Sequence, residues 1–329
     1  MTAMRVEAGS TFLSAVVLAA GEGKRMRSGR AKVLHEVGGL PLIDHVLAAL
    51  EPLRAAPVVV VVGHLRGQVK AHLAGRCLDV AVQDPPRGTG DALACALPLV
   101  PEEGEVIVLS GDVPLITPVT LEGLTALRRS RHAAAALATA VLAAPGPYGR
   151  IVRGPSGDVA AIVEARDATE EQRELSEVNA GTYAFDLGAL RSAMPSLRPD
   201  NAQGEYYLTD VVGILAARGE VVAGLPLDDP AEMVGVNSRA DLAEVHRLLN
   251  TRVVRRLQES GVTVLDPATT WVDPDCAVGR DSVLEPGVHL RRGCVIGEGC
   301  RIGAHAVLEG VTVARGMVIP PLAHRCASG

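Results

Sequence analysis

Aromatic residues make up only 2% of this chain, with a single tryptophan. So few rings exclude the stacking platforms with which proteins hold single-stranded nucleic acid or RNA loops. A basic excess is missing too: 32 lysines and arginines face 38 acidic residues, a formal net charge of −6. No basic face for a nucleic-acid backbone is implied, and a polyphosphate ligand would need a local cluster of positive charge. No run approaches the roughly 18 apolar residues of a membrane span. The apolar segment "FLSAVVLAA" (12–20) lacks the flanks of a signal peptide, because its one upstream arginine is offset by Glu7. The six cysteines show no short paired spacing, which excludes a disulfide framework and makes a reduced, cytoplasmic protein the expectation.

What is present is a chain of 329 residues, 48% apolar and 21% charged, long enough for a large core and two domains. From "SAVVLAA" (14–20) to about residue 227, apolar runs alternate with helical patterns. "APVVVVVG" (56–63) and "GEVIVLSGD" (104–112) read as strands buried on both faces. "DALACALPLV" (91–100) has helical spacing, and "TPVTLEGLTALRRS" (117–130) opens on a capping residue and ends on arginines. "AAAALATAVL" (133–142) is ambiguous, since alanine favours helix while the position after a helix favours a strand. The alternation predicts an α/β, Rossmann-like domain with a mostly parallel mixed sheet and helices on both faces, over 1–237. "SRADLAEVHRLLNTRVVRRLQESG" (238–261) predicts one long linking helix.

A repeat occupies the rest, 262–329. Val272, Val278, Leu284, Leu290, Ile296, Ile302 and Leu308 recur every sixth position, with polar pairs and glycine between. After a shortened step to Val313 the period returns at Ile319. Such hexapeptide periodicity predicts a short parallel β-helix of about three coils, each burying its aliphatic corner against the next. Cys276, Cys294 and Cys300 each follow a repeat aliphatic by four places. Cys276 and Cys294 should stack one coil apart; a small buried thiol filling the core is favoured there over a metal site or a disulfide.

The stretch "LAAGEGKRMRSGRAK" (18–32) follows the first strand. It lacks the G-x-x-x-x-G-K-[ST] of a Walker A loop, and Met26 stands where a dinucleotide fingerprint needs its third glycine. A Gly21/Gly23 turn flanked by Arg25 and Lys32 remains, able to present N–H groups and positive charge to a triphosphate. "QDPPRGTGDA" (83–92) sets a second glycine-rich turn at another strand end, suited to reading a base edge. "LSGDVPLI" (109–116) ends a strand at Asp112, and "MVGVNSR" (233–239) offers Asn237, two hard oxygen donors suited to Mg²⁺. His35 reads as a packing or capping residue.

Together with "AKVLHEVGG", "YGRIV", "IVEARDATEEQ", "EVNAGTY" and "NAQGEYYLTDVV", these segments resemble the uridylyltransferase part of the bifunctional N-acetylglucosamine-1-phosphate uridylyltransferase/glucosamine-1-phosphate acetyltransferase family. The resemblance runs from about Ala15 over nearly the whole chain. It implies a Mg²⁺-dependent cytoplasmic enzyme making UDP-N-acetylglucosamine, a peptidoglycan precursor, and pyrophosphate from UTP and N-acetylglucosamine-1-phosphate. Leu18, Ala19, Ala20, Gly21 and Gly23 would then hold the nucleotide, and Gln83, Gly88 and Thr89 would select uracil. Arg25 and Lys32 would act catalytically on the phosphates, Asp112 and Asn237 would ligate Mg²⁺, and Gly149, Glu164 and Asn179 would bind the sugar. It also implies a left-handed β-helix and a homotrimer formed through it, with no nucleic acid or membrane partner.

Ser110 and Ala180 depart from the family pattern near the expected sugar site. The chain ends at Gly329, just past "IPPLAHRCASG", where the family continues into further coils; acetyl transfer is therefore not expected, and His324 is not its base. Two alternatives stand beside this reading. One is a nucleotidyltransferase of other base or sugar specificity; the other is a catalytically silent regulatory or assembly subunit of the same fold, for which the joint presence of Arg25, Lys32, Asp112 and Asn237 has no physical need.

Overall fold

Val58–Val62 is an unbroken valine strand with four of its five residues buried, because both of its faces are covered. It belongs to a mixed sheet in a computed structural model that describes residues 12–327. The region upstream of Phe12, including Glu7, lies outside the described residues. The strand order is Asp79–Val82, Val58–Val62, Leu13–Ala19, Glu105–Ser110, Glu177–Asp186, Ala135–Val141 and Val222–Pro226. The first four are mutually parallel. Glu177–Asp186 runs antiparallel to both neighbours, and Val222–Pro226 returns parallel to Ala135–Val141. A hairpin of Arg150–Arg153 and Val159–Val163 leans on the Glu177–Asp186 strand.

Strand alternation divides the core in two. Val16, Val59, Val61 and Val108 face one layer with Leu93, Leu190 and Val212 from helices Thr89–Ala96, Leu187–Ala193 and Thr209–Ala217. Val17, Val60, Val62 and Leu109 face the other, with Ile43, Leu73 and Leu124 from helices Leu42–Leu50, Arg66–Leu73 and Pro118–Ser130. Helices therefore cover both faces, as the alternation predicts. Thr117 caps Pro118–Ser130, its hydroxyl accepting from the Thr120 amide at 3.3 Å. The ambiguous alanine run is a strand, Ala135–Val141, because a slot between two strands overrides alanine's intrinsic helix preference.

The chain divides into two compact units. One runs to His35 and resumes over Leu42–Asn237; the other takes Glu36–Pro41 together with Ser238 onward. The second unit opens with helix Arg239–Glu259, started by a capping box in which Ser238 Oγ accepts from the Asp241 amide and the Asp241 carboxylate accepts from the Ser238 amide. Val253, Val254 and Leu257 of this helix share a core with the repeat that follows. The repeat folds into three parallel sheets of two- and three-residue strands. Leu284 pairs with Ile302 and Leu290 with Leu308, while the shortened step is absorbed where Ile296 pairs with Val313. Leu284, Leu290, Ile302, Leu308 and Ile319 are wholly buried, and Val278 is half-buried. Cys276, Cys294 and Cys300 are buried and free.

A fully buried carboxylate, Glu105, stands at the start of the Glu105–Ser110 strand. Its carboxylate is inaccessible to solvent and accepts from Arg128 Nε at 3.0 Å and Arg129 Nε at 2.8 Å. Burial alone would push its pKa up, but the two guanidiniums more than offset this and hold it below the ordinary glutamate value. Removing one partner from such a cluster costs about 3–5 kcal/mol, so Glu105→Gln is expected to lose that much at neutral pH in urea unfolding. Because the folded pKa is depressed, the wild-type advantage is present above the unfolded pKa and fades as pH falls through the folded one. A wild-type-to-variant gap unchanged between neutral pH and about pH 3 would contradict this.

Candidate active site

The Leu13–Ala19 and Glu105–Ser110 strands end side by side, as parallel neighbours must, and a cavity of about 480 Å³ opens there. Leu18, Ala19, Ala20 and Gly21 line it from the first strand end, Gln83, Gly88 and Thr89 from a second, and Ser110 and Asp112 from a third. Lys32 reaches in from the loop. Gly23 makes this possible: its φ is +62°, and a Cβ there would sit 2.9 Å from Lys32 Cβ. Buried Val33 and Leu34 anchor the turn that carries Lys32.

Lys32 Nζ donates to the Asp112 carboxylate and, at 3.1 Å, to Asn237 Oδ1. Backbone bonds fix both acceptors. The Gly111 amide donates to Leu18 O at 2.9 Å, and the Val236 amide donates to Asp112 O at 2.9 Å, which sets Asn237 beside Asp112. A carboxylate and an amide oxygen thus converge on one positive group, and these hard donors fit Mg²⁺. Arg25 is exposed on the Lys24–Met26 turn and does not line the cavity, whereas Lys24, paired with Glu22 at 2.5 Å, does.

Gln83 is buried, and its Nε2 donates to Gly88 O at 2.9 Å and to Asp91 Oδ2 at 2.8 Å. The amide orientation is thereby set, leaving Oε1 as the acceptor edge. Gly88, with φ at +106°, allows a close crossing of backbones: a Cβ there would lie 2.5 Å from Tyr206 O. The Gly90 amide donates to that same oxygen, and Thr89 Oγ1 accepts from the Leu208 amide at 3.0 Å. Thr89 therefore clamps the 205–208 segment.

Gly149, Glu164 and Asn179 come together beyond that segment and do not line the 480 Å³ cavity. The Asn179 amide donates to Gly149 O at 2.9 Å, and a Cβ on Gly149 would fall 3.5 Å from Glu164 Oε1. Asn179 Nδ2 donates to the buried Tyr183 hydroxyl at 2.7 Å, and Thr209 Oγ1 donates to Glu164 Oε1 at 3.0 Å. Burial pushes the Glu164 carboxyl above its ordinary pKa, with the Thr209 bond opposing. The two neighbourhoods are joined by one short stretch, since Glu205 lines the cavity and Thr209 holds Glu164. Sequence reasoning assigned no role to Lys24, Glu205 or Thr209; the last two lie within "NAQGEYYLTD", but no spacing rule marks them. Ser110 lines the cavity, whereas Ala180 packs into the core on the opposite strand face from Asn179. His35 is buried.

The MobA-like NTP transferase domain matches residues 15–181. The chain belongs to that family. Residues 275–310 also match the bacterial transferase hexapeptide (six repeats). This NTP transferase is 46% identical over 312 residues to the bifunctional protein GlmU of Mycolicibacterium vanbaalenii, covering 92% of this chain and 63% of the relative. It is 47% identical over 310 residues to GlmU of Mycobacterium tuberculosis (strain ATCC 25177 / H37Ra), covering 92% and 62%. It therefore spans a little under two thirds of the length of these curated relatives. A crystal structure of a Bacillus anthracis protein described as a glucose-1-phosphate thymidylyltransferase matches with a TM-score of 0.57 at 21% identity, over 72% of this chain and 94% of that one; this shows the fold. No helix among the described residues is long and apolar enough to cross a membrane.

The raised Glu164 pKa carries a stability consequence of known sign. A carboxyl whose folded pKa exceeds its unfolded one contributes stability below the unfolded value and loses it as pH rises through the folded value. Glu164→Gln should keep an acceptor for Thr209 while removing the buried charge. The variant is expected to melt higher than wild type at neutral pH, with the difference vanishing in acid. An equal or lower melting temperature at neutral pH would contradict the assigned burial cost.

Proposed function

We propose that this protein transfers the uridylyl group of UTP to N-acetylglucosamine-1-phosphate, releasing pyrophosphate. The observation that carries the reading is the convergence of Lys32, Asp112 and Asn237 beside a cavity that Lys32, Asp112 and Gln83 together line. Uracil offers an N3–H donor where cytosine offers an acceptor. The Gln83 Oε1 edge, fixed by the bonds its Nε2 makes to Gly88 O and Asp91, favours the former. The turn at Gly21–Gly23 supplies N–H groups to the phosphates, and Lys24, Arg25 and Lys32 supply local positive charge to a chain that is negative overall. Asp112 and Asn237 would hold Mg²⁺, which when bound supplies charge neutralisation to phosphate oxygens.

In the reaction, a phosphate oxygen of the sugar 1-phosphate forms a bond to the α-phosphorus as the bond from that phosphorus to the bridging oxygen breaks. The electron pair leaves on pyrophosphate. The nucleophile is already ionised near neutral pH, so no general base is needed, and the chain's task is alignment and charge stabilisation. Gly149, Glu164 and Asn179 would hold the N-acetylated sugar. The Glu205–Thr209 stretch ties that subsite to the nucleotide cavity.

The test is pyrophosphate release from UTP, CTP, GTP and dTTP, each with N-acetylglucosamine-1-phosphate, glucosamine-1-phosphate and glucose-1-phosphate. Selective turnover of UTP with the N-acetylated sugar is expected; preference for another pair establishes the alternative specificity, and no turnover with any pair establishes a silent subunit. Asp112→Ala and Lys32→Ala should each lower kcat by about 10²–10³, the range for removing a preorganised electrostatic group. Circular dichroism should be unchanged, and the KM for the sugar phosphate should move far less. A change confined to that KM would overturn the roles given to the pair.

We extend the proposal to a homotrimer formed through the β-helix. Exposed Val295, Val318 and Leu322 on its outer faces support self-association. Light scattering over a range of concentrations should show a mass approaching three chains, and a strictly monomeric protein would refute the trimer.

A further inference from the structure

Outside the proposed active site, one group of side chains on the second unit has the composition and spacing of a metal site. Glu309, His324 and Cys326 each offer one ligand atom, and those atoms lie within 4.8 Å of one another. The repeat brings them together. Val307–Glu309 and His324–Cys326 are parallel neighbours on successive coils, with Glu309 paired to Cys326 and Val307 to His324. Residues two apart on a strand share a face, so His324 and Cys326 project on the same side, where Glu309 meets them from the coil before. The Ala327 amide donates to Glu309 O at 2.9 Å and the Val307 amide to Ala323 O at 2.8 Å, which locks this register.

The two separations to the sulfur are close to those of ligands around one ion. Cys326 Sγ lies 3.5 Å from Glu309 Oε2 and 3.4 Å from His324 Nε2. With metal–sulfur bonds of about 2.3 Å and metal–nitrogen or metal–oxygen bonds of about 2.1 Å, tetrahedral angles put such pairs roughly 3.6 Å apart. Arg292 Nε meets the other carboxylate oxygen, Glu309 Oε1, at 2.9 Å and so steers Oε2 toward the sulfur. A thiolate, an imidazole and a carboxylate are the mixed donor set of Zn²⁺, whereas Mg²⁺ and Ca²⁺ take oxygen alone. His324 and Cys326 are exposed, so an ion can reach them.

We propose that Glu309, His324 and Cys326 form a Zn²⁺ site with three protein ligands and an open fourth position. As the sulfur–zinc bond forms, the thiol proton is lost to solvent, and no oxidant or reductant is needed. This site is independent of the proposed uridylyl transfer.

The experiment uses the full chain, reduced and metal-free, titrated with Co²⁺ as a spectroscopic probe and then with Zn²⁺ in competition. A near-ultraviolet thiolate-to-cobalt charge-transfer band should grow to one equivalent, accompanied by visible bands of tetrahedral intensity, and Zn²⁺ should remove both. Cys326→Ser should abolish the charge-transfer band, while His324→Ala and Glu309→Gln should weaken Co²⁺ binding about tenfold or more. Circular dichroism of each variant checks folding, and Cys77→Ser and Cys95→Ser should leave the band intact. Absence of the band from the wild-type chain overturns the site, as does its survival in Cys326→Ser or its loss with Cys77 or Cys95.

Discussion

The Lys32 ammonium bonds to two oxygens on segments 80 and 205 residues further along the chain, and the geometry of the candidate active site depends on that meeting. Each participant arrives by a different physical route. Asp112 is placed by a parallel strand end, Asn237 by the Val236–Asp112 backbone bond, and Lys32 by a turn that tolerates only glycine at position 23. In a partly buried setting the attraction is screened less than at the open surface. Three positions that are unremarkable alone thereby become a preorganised charge centre. In a chain of net charge −6, an ammonium fixed at this spot is the local positive charge that the proposed polyphosphate ligand requires.

A second constraint is the cost of the Glu164 carboxylate. Burial opposes its charge, and the neighbouring donor shown is a single threonine hydroxyl. A fold selected only for stability would place an amide or an apolar residue there. Keeping a carboxylate beside Gly149, where an added Cβ would crowd Ile162 at 2.9 Å, is understandable if a ligand supplies the missing hydrogen-bond donors. The 205–209 stretch matters for the same reason, since it touches the Gly88 turn at one end and Glu164 at the other.

Much of this was legible in the residues. The β-branched runs marked the buried strands, and the six-residue period located the coils even across the short step before Val313. That the glycine turns and Asp112 come to strand ends around one cavity, with Asn237 beside Asp112, could also be anticipated, because strand ends and glycine-rich turns leave a local signature. Glu205 and Thr209 could not, because their importance comes from a backbone crossing at Gly88 that no local pattern encodes. Lys24 and Arg25 are adjacent basic residues on one turn, and only the turn's path decides which of them lines the cavity. Ala180 shows the limit of sequence adjacency: next to Asn179 in the chain, it faces away from it in a strand.

The same logic of facing separates the cysteines of the repeat. Cys276, Cys294 and Cys300 occupy inward positions, where a thiol is a small apolar filler able to make only weak bonds to carbonyls; Cys294 Sγ reaches Arg291 O at 3.1 Å and Cys300 Sγ reaches Ala314 O at 3.1 Å. An ion cannot reach them without opening the coil stack. Cys326 stands one register step beyond the inward Leu308 position, opposite Glu309, and the pleat turns it outward toward a carboxylate and an imidazole. A parallel β-helix therefore assigns chemistry by phase: inward residues of any type become packing, and outward residues from adjacent coils become a ladder of side chains held at strand spacing. Polar groups stacked on that ladder are already near the separations that coordination requires, without the long loops on which most metal sites depend.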